Sequence, residues 1–269
     1  MSTTPHVYTH GHHESVLHAH RHRTAKNSAG YLLPHLAPGL SVLDVGCGPG
    51  TLTVDLARRV APGRVTALER SPEILRLARE EAETGDIHTI DFVSGDIHAL
   101  TIPDATFDVV HAHQVLQHLA DPTAALREMR RVCRPGGIVA ARDGDYATFA
   151  WYPLVPELDE WLTLYRRQAR RNGGEPDAGR RLPSWARAAG FVDITATASV
   201  WCFASPEERQ WWGTSWADRI VRSDLARQLV AAGQATDDDL LRISRGWQSW
   251  AEAADGWFSV THGEILCRA

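Results

Sequence analysis

A chain of 269 residues, 43% hydrophobic and 23% charged, is sized for one large α/β domain with insertions. Its net charge of −5 argues against a general nucleic-acid binder. No apolar run approaches a membrane span, and the polar, histidine-rich start lacks the apolar stretch of a secretory leader.

From Ser41 onward, short apolar runs alternate with amphipathic stretches, the pattern of βαβ units on a parallel sheet. "SVLDVGC" (41–47) predicts a buried strand and "GTLTVDLARRV" (50–60) the helix after it. "RVTAL" (64–68) predicts a second strand. Ser71 and Pro72 then open a helix with Ile74, Leu75, Leu77 and Ala78 inside. "IDFVSGD" (90–96) and "FDVVHAH" (107–113) give strands three and four. Asp121 and Pro122 start another helix, "RPGG" (134–137) predicts a turn, and "IVAARDG" (138–144) a fifth strand. Later, "RRLPSWARAAGF" (180–191) predicts a helix stopped by Gly190. The runs 191–203 and 256–269 are rich in strand formers, and 205–255 reads as mostly helical, opened by a Ser205–Glu208 capping box. "RRQARR" (166–171) reads as a solvated helix face. The four cysteines show no CxxC pairing, read as reduced thiols of a cytoplasmic protein, and do not point to zinc.

In an open parallel sheet the ligand lies across the carboxyl ends of the strands, so the residues just beyond each strand carry the functional information. Strand one ends in Asp44 followed by Gly46, Gly48 and Gly50, glycines that let a ligand approach the backbone before a tight turn into a helix. Strand two ends at Glu69, placed to accept hydrogen bonds from two ribose hydroxyls. Strand three is followed by Asp96 and Ile97. The loop is GxGxG rather than the GxGxxG of a dinucleotide site, and a carboxylate at Asp44 disfavours a phosphate. A nucleoside with a cationic or zwitterionic tail fits better.

"VLDVGCGPGTLTVDLA", Glu69, "GDIHAL", "FDVVHAHQVLQHLADP" and "RVCRPGG" together resemble the successive motifs of class I S-adenosylmethionine-dependent methyltransferases over about residues 30–200. Within them the chain is most similar to the ubiquinone/menaquinone-biosynthesis and small-molecule methyltransferase group. The resemblance implies an α/β, Rossmann-like, mostly parallel sheet of seven strands. The last is antiparallel and lies beside the sixth, and 191–203 and 256–269 stand where such a pair belongs. It implies a helical cover over residues 1–38, then a methyltransferase domain over 39–269 with substrate or lid insertions at about 146–178 and 204–255.

The same resemblance implies S-adenosyl-L-methionine as cofactor. Asp44, Gly46, Cys47 and Gly48 would surround its methionine part, Glu69 with Arg70 the ribose, and Asp96 with Ile97 the adenine. His113 and Gln114 would face the methionine portion and sulfonium. Glu69 replaces the commoner Asp of the subgroup, and either acid serves a ribose diol.

Seven of the fourteen histidines fall in the first 22 residues. Helical spacing puts Val16, His20 and Arg23 on one face, with Tyr8 and His12 about a turn earlier. As a cover, this segment would bring Arg23 to the cofactor's carboxylate and Tyr8 over its methionine arm, the alternative being a solvent-facing Arg23. His18 and His22 have the i, i+4 spacing of a metal pair, but no HExxH or acidic cluster accompanies them, and no metal is expected.

Methyl transfer needs a general base only where the acceptor must lose a proton. His118 and Asp145 are the candidate catalytic residues, with Asp143 and Tyr146 nearby; packing and loop capping are the competing roles. All ten tryptophans lie at or after Trp151. Trp151, Tyr152, Trp211, Trp212 and Trp216 are expected to form a pocket for an aromatic or apolar small-molecule acceptor, or else to supply bulky core, and Arg180 or Arg181 to meet a negative charge on it. A non-catalytic cofactor-binding protein and a nicotinamide-dependent oxidoreductase are the alternatives. A macromolecular target is disfavoured by "HAHQ" where an NPPY-type tetrapeptide would stand. A homodimer through exposed helices is compatible with the sequence.

Overall fold

The computed structural model describes Thr9 and residues 23–269. Five parallel strands form the body of one sheet: β1 (Val42–Val45), β2 (Val65–Glu69), β3 (Ile90–Ser94), β4 (Phe107–His113) and β5 (Cys133–Gly144), in the order β3-β2-β1-β4-β5. The long last strand, β8 (Trp257–Arg268), runs antiparallel beside β5. β7 (Ile194–Phe203) pairs with its other edge. The sheet has eight strands where seven are expected. The extra one is β6 (Ala150–Tyr152), which takes up the part of the β8 edge that β5 does not reach, with Trp151 opposite Phe258.

Alternation in each strand builds the two faces. Val42, Val109 and Ala140 pack under α1 (Ala25–Ser28), α2 (Thr51–Val60) and α3 (Pro72–Thr84). Leu43, Val110 and Val139 pack under α4 (Pro122–Val132) and α6 (Leu182–Ala188). The helix starts are those expected. Ser71 Oγ accepts from the Ile74 amide, Asp121 Oδ1 from the Ala124 amide, and Ser205 with Glu208 closes a capping box. Gly190, at φ +94°, follows α6 as its stop. The "RPGG" turn instead lies inside β5 as a bulge, with pairing that jumps from Phe107–Cys133 to Val109–Ile138.

Helix α5 (Pro156–Arg171), from before β7, packs with α7 (Pro206–Arg222), α8 (Asp224–Ala231) and α9 (Asp237–Glu252), from after it. Their common core is aromatic. Trp161, Trp216, Trp247, Trp250 and Phe258 are fully buried, with Trp161 edge-on to Trp216 at 4.5 Å and to Trp247 at 4.8 Å. The arginines of "RRQARR" are not simply solvated, because Arg166 and Arg170 both pair with the buried Asp177. None of the helices among the described residues is long and apolar enough to cross a membrane.

Most of the expected cover, with Tyr8, His12, His18, His20 and His22, lies outside the described residues. Its described end docks on β7, where Trp201 Nε1 donates to the Asn27 carbonyl at 2.6 Å. Thr9 Oγ1 accepts from Asn172 just past α5. Trp247→Ala is expected to destabilise the protein by about 3–5 kcal/mol, the usual cost of removing a buried large aromatic, read as a lower urea midpoint.

Candidate active site

The carboxyl ends of β1 to β4 open onto a cavity of about 530 Å³. Its floor is the turn after β1, where Gly46, Gly48 and Gly50 all take positive φ. A Cβ on Gly46 would sit 2.5 Å from Val115 Cγ2, so only glycine lets the turn pass that close to the chain beyond β4. Asp44, expected to face the ligand, lies beneath this turn. It is 2% exposed, its Oδ1 bonds the His111 ring at 3.0 Å, and its Oδ2 accepts from Thr53 Oγ1 at 2.6 Å. Register is the reason: Asp44 and His111 are lateral neighbours on β1 and β4, and a buried carboxylate takes the partners beside it. Cys47 is also buried, and burial followed by the Asp44 and Glu69 charges raises its thiol pKa; it does not line the cavity.

Glu69 does face the cavity. Its two oxygens accept from the amides of Gly48 at 3.2 Å and Ser71 at 3.0 Å, which fixes the carboxylate while leaving each oxygen a further lone pair. Arg70, Asp96 and Ile97 line the same cavity. Partial burial works to raise the Asp96 carboxyl, but hydrogen bonds from the amide and ring of His98, with Arg70 nearby, bring it below the usual range. His98, also a lining residue, carried no signal beyond its place two residues after Asp96; its Nε2 reaches the Asp121 carbonyl.

Past β4, His113, Gln114 and His118 line the cavity together with Arg23. Gln114 adopts φ +53°, a conformation costly for a residue with a side chain, and its amide donates to the Arg142 carbonyl at 2.7 Å. Its side chain joins three segments. Oε1 accepts from Arg23, and Nε2 donates to His262 Nε2 at 2.7 Å. His262 Nδ1–H in turn donates to the Val260 carbonyl, which settles the tautomer. Burial, then Arg142 and Arg23, holds His262 well below the ordinary histidine range.

Behind this row lies a buried polar group that sequence reasoning missed. Arg142 is 1% exposed, bonds Ser199 and Glu264, and has its guanidinium 4.9 Å from the Trp201 ring. Burial brings its pKa down to about 10 against the pull of Glu264. Thr197 and Ser199 complete the Glu264 carboxylate. Arg142 and Glu264 are charged residues of opposite sign directly opposite one another in register on β5 and β8.

The remaining predicted residues are elsewhere. Asp145 is buried and holds Arg180, accepting from its amide, Nε and Nη2 within 3.0 Å. The two therefore complete each other, and neither lines the cavity. Trp212 and Trp216 belong to the helical core, Trp211 packs against it, and Trp151 stacks on Phe258 at 5.6 Å. Tyr152 is exposed. None of the expected aromatic set lines the cavity, because its four tryptophans lie in or against the core between α5, α7, α9 and β8 instead.

Residues 36–198 match the model of a methyltransferase domain, and the chain belongs to that family. It is 37% identical to an uncharacterized methyltransferase of Schizosaccharomyces pombe, covering 96% of this chain and 95% of the relative. It is 31% identical to the probable methyltransferase ltbC of Aspergillus luteorubrus, covering 96% of each. The fold is also that of the YcgJ protein from Bacillus subtilis, with a TM-score of 0.57 and 18% identity over 89% of this chain and 96% of that one. The protein is thus a methyltransferase-family enzyme.

Asp143, at the end of β5, accepts from the Gln117 amide and is fully buried. Burial raises its carboxyl to about 7, despite backbone donors and the Arg142 and Arg23 charges. A carboxyl that holds its proton more tightly folded than unfolded lends stability below its unfolded pKa of about 4. That stability is lost as the pH rises through about 7. Asp143→Asn is expected to flatten the fall in unfolding free energy across this window, as read from urea curves at successive pH values.

Proposed function

We propose that the protein transfers a methyl group from S-adenosyl-L-methionine to a small-molecule acceptor. The single observation that carries the cofactor reading is Glu69, a carboxylate fixed at the end of β2 by the amides of Gly48 and Ser71. A rigid two-oxygen acceptor suits the two hydroxyls of a ribose, and Gly46 and Gly48 bring bare backbone to the wall of the same cavity. The donor set therefore fits the cofactor.

In this reading Glu69 binds the ribose, with Arg70 beside it. Asp96 receives the amino group of an adenine held between the apolar side chains of Ile74, Ile97 and Leu119. The turn at Gly46 and Gly48 passes the methionine part, and Arg23, His113 and Gln114 surround its far end. When bound, the cofactor supplies an electrophilic methyl group on a sulfonium. The chain's own contribution is to bind, orient and exclude water, which brings the reacting atoms together in line. Arg23 closes one side and is held there by Gln114. His118 borders the acceptor side and is oriented by Gln117 Nε2 at 3.0 Å. The apolar side chains that line the cavity, Val115 and Leu119 among them, support an aromatic or apolar acceptor.

Calorimetric titration tests the reading. S-adenosylhomocysteine is expected to bind and NAD not to bind; the reverse would overturn it. Glu69→Ala removes charge-assisted hydrogen bonds worth about 1.5–3 kcal/mol, so S-adenosylhomocysteine affinity should fall roughly 10- to 100-fold.

A further inference from the structure

His98 joins the loop after β3 to the start of α4. Its backbone amide and its Nδ1 both meet Asp96 Oδ1, at 2.9 and 3.0 Å, and its Nε2 meets the Asp121 carbonyl at 3.1 Å. That carbonyl also accepts the Ala125 amide of α4, so the helix fixes where it points. On its other side the loop is tied to β2, where the Gly95 amide donates to the Glu69 carbonyl. Both contacts with Asp96 engage Oδ1, which leaves Oδ2 for a ligand. Asp96 and His98 line the cavity, and both side chains remain partly exposed.

A carbonyl oxygen can only accept, so the contact with Asp121 needs a hydrogen on Nε2. An ionised carboxylate can only accept as well, so the contact with Asp96 needs one on Nδ1. A neutral imidazole satisfies one of the two and turns a lone pair on the other oxygen. We propose that His98 is a positioning residue for the base of the cofactor. With a hydrogen on each ring nitrogen it holds Asp96 as an anionic acceptor for the exocyclic amino group of adenine. It thereby sets a preference for adenine over a purine that carries oxygen at that position. The proposal rests on the cofactor reading above and deepens it at the adenine end. The charged groups about the ring are Asp96 on its own loop, Asp121 on α4, and Arg70 past β2, which acts on Asp96. The Asp121 carboxylate is already committed to the Ala124 amide. Arg23, Glu69, His113 and His118 are the other titratable groups of the cavity lining. When the ring loses a proton, one contact breaks and the Asp96 carboxylate is free to turn. The preference is therefore greatest on the acid side and falls as the pH rises.

The test titrates S-adenosylhomocysteine and S-inosylhomocysteine into the full chain and into His98→Gln at successive pH values. In the inosyl compound an oxygen replaces the amino group, so an acceptor meets the Asp96 carboxylate where a donor stood. The wild type is expected to bind the adenosyl compound about tenfold tighter or more, the scale of a hydrogen bond to a charged group. That ratio should fall about three- to tenfold between about pH 5 and about pH 8, where histidines change charge. The other titratable groups of the cavity face parts that the two ligands share, so their effects cancel in the ratio. In His98→Gln the ratio should be lower, within about threefold of unity, and the same at every pH, with S-inosylhomocysteine affinity little changed. A residue that only held the loop would weaken both ligands alike and leave the ratio where it was. A wild-type ratio near one, a ratio flat with pH, or a ratio unchanged in His98→Gln would each overturn the proposal. If the variant does not fold, the pH dependence of the wild-type ratio decides alone. Failure of the wild type to bind S-adenosylhomocysteine at all would instead remove the cofactor reading itself, which separates the two failures.

Discussion

The buried carboxylate of Asp44 is the joint on which the cleft depends. It lies between β1, β4 and α2, bonded to His111 on one side and Thr53 on the other. Both neighbours are fully buried, so no water is available to replace either bond, and removing one partner would leave a polar group unmet in the core. The glycine turn begins two residues later, and its approach to Val115 is close enough that no side chain fits at Gly46. Position of the turn, start of α2 and end of β4 are therefore decided together, and the ligand-facing groups inherit their places from that joint. Glu69 gains its orientation from the turn, through the Gly48 amide.

A second constraint acts at the other end of the cleft. Arg23, Gln114 and His262 form a chain of hydrogen bonds that links the segment before β1 to the end of β4 and the middle of β8. The strained backbone at Gln114 is held by its bond to the Arg142 carbonyl and by both ends of its side chain. Arg142 itself is neutralised by Glu264 across the β5–β8 pair. The cavity thus carries the carboxylates of Glu69 and Asp96 in one part of its lining and the Arg23 guanidinium in another, a polarity that orients a ligand carrying charge at one end.

The parallel sheet was legible in the sequence because strand runs, caps and glycine stops are local signals. Ser71, Asp121, Ser205 and Gly190 act where their chemistry places them. Glu69, Asp96, Ile97, His113 and Gln114 were legible as cavity residues because the end of a parallel strand is itself a position in space. Asp44 misled because its place beneath the turn depends on a lateral neighbour, His111, that lies far along the chain. Trp212 and Trp216 misled for a related reason: aromatic composition is the same for a pocket and a core, and only the packing of α5 against α7 and α9 distinguishes them. Arg142 and Glu264 were invisible as a pair until β8 was known to run antiparallel to β5.

Phe258, Val260, His262 and Glu264 alternate along a single face of β8. The first belongs to the aromatic core of the helical layer and the last two to the polar group behind the cleft. About 13 Å of unbroken strand separates Phe258 from His262, at roughly 3.3 Å per residue. A strand hydrogen-bonded along both edges is stiff along its length, so it fixes the spacing between the two regions. Divergence among related chains is then constrained in a particular way. The helical layer can be rebuilt only by changes that leave the seat of Phe258 in place, or by paired changes that restore it.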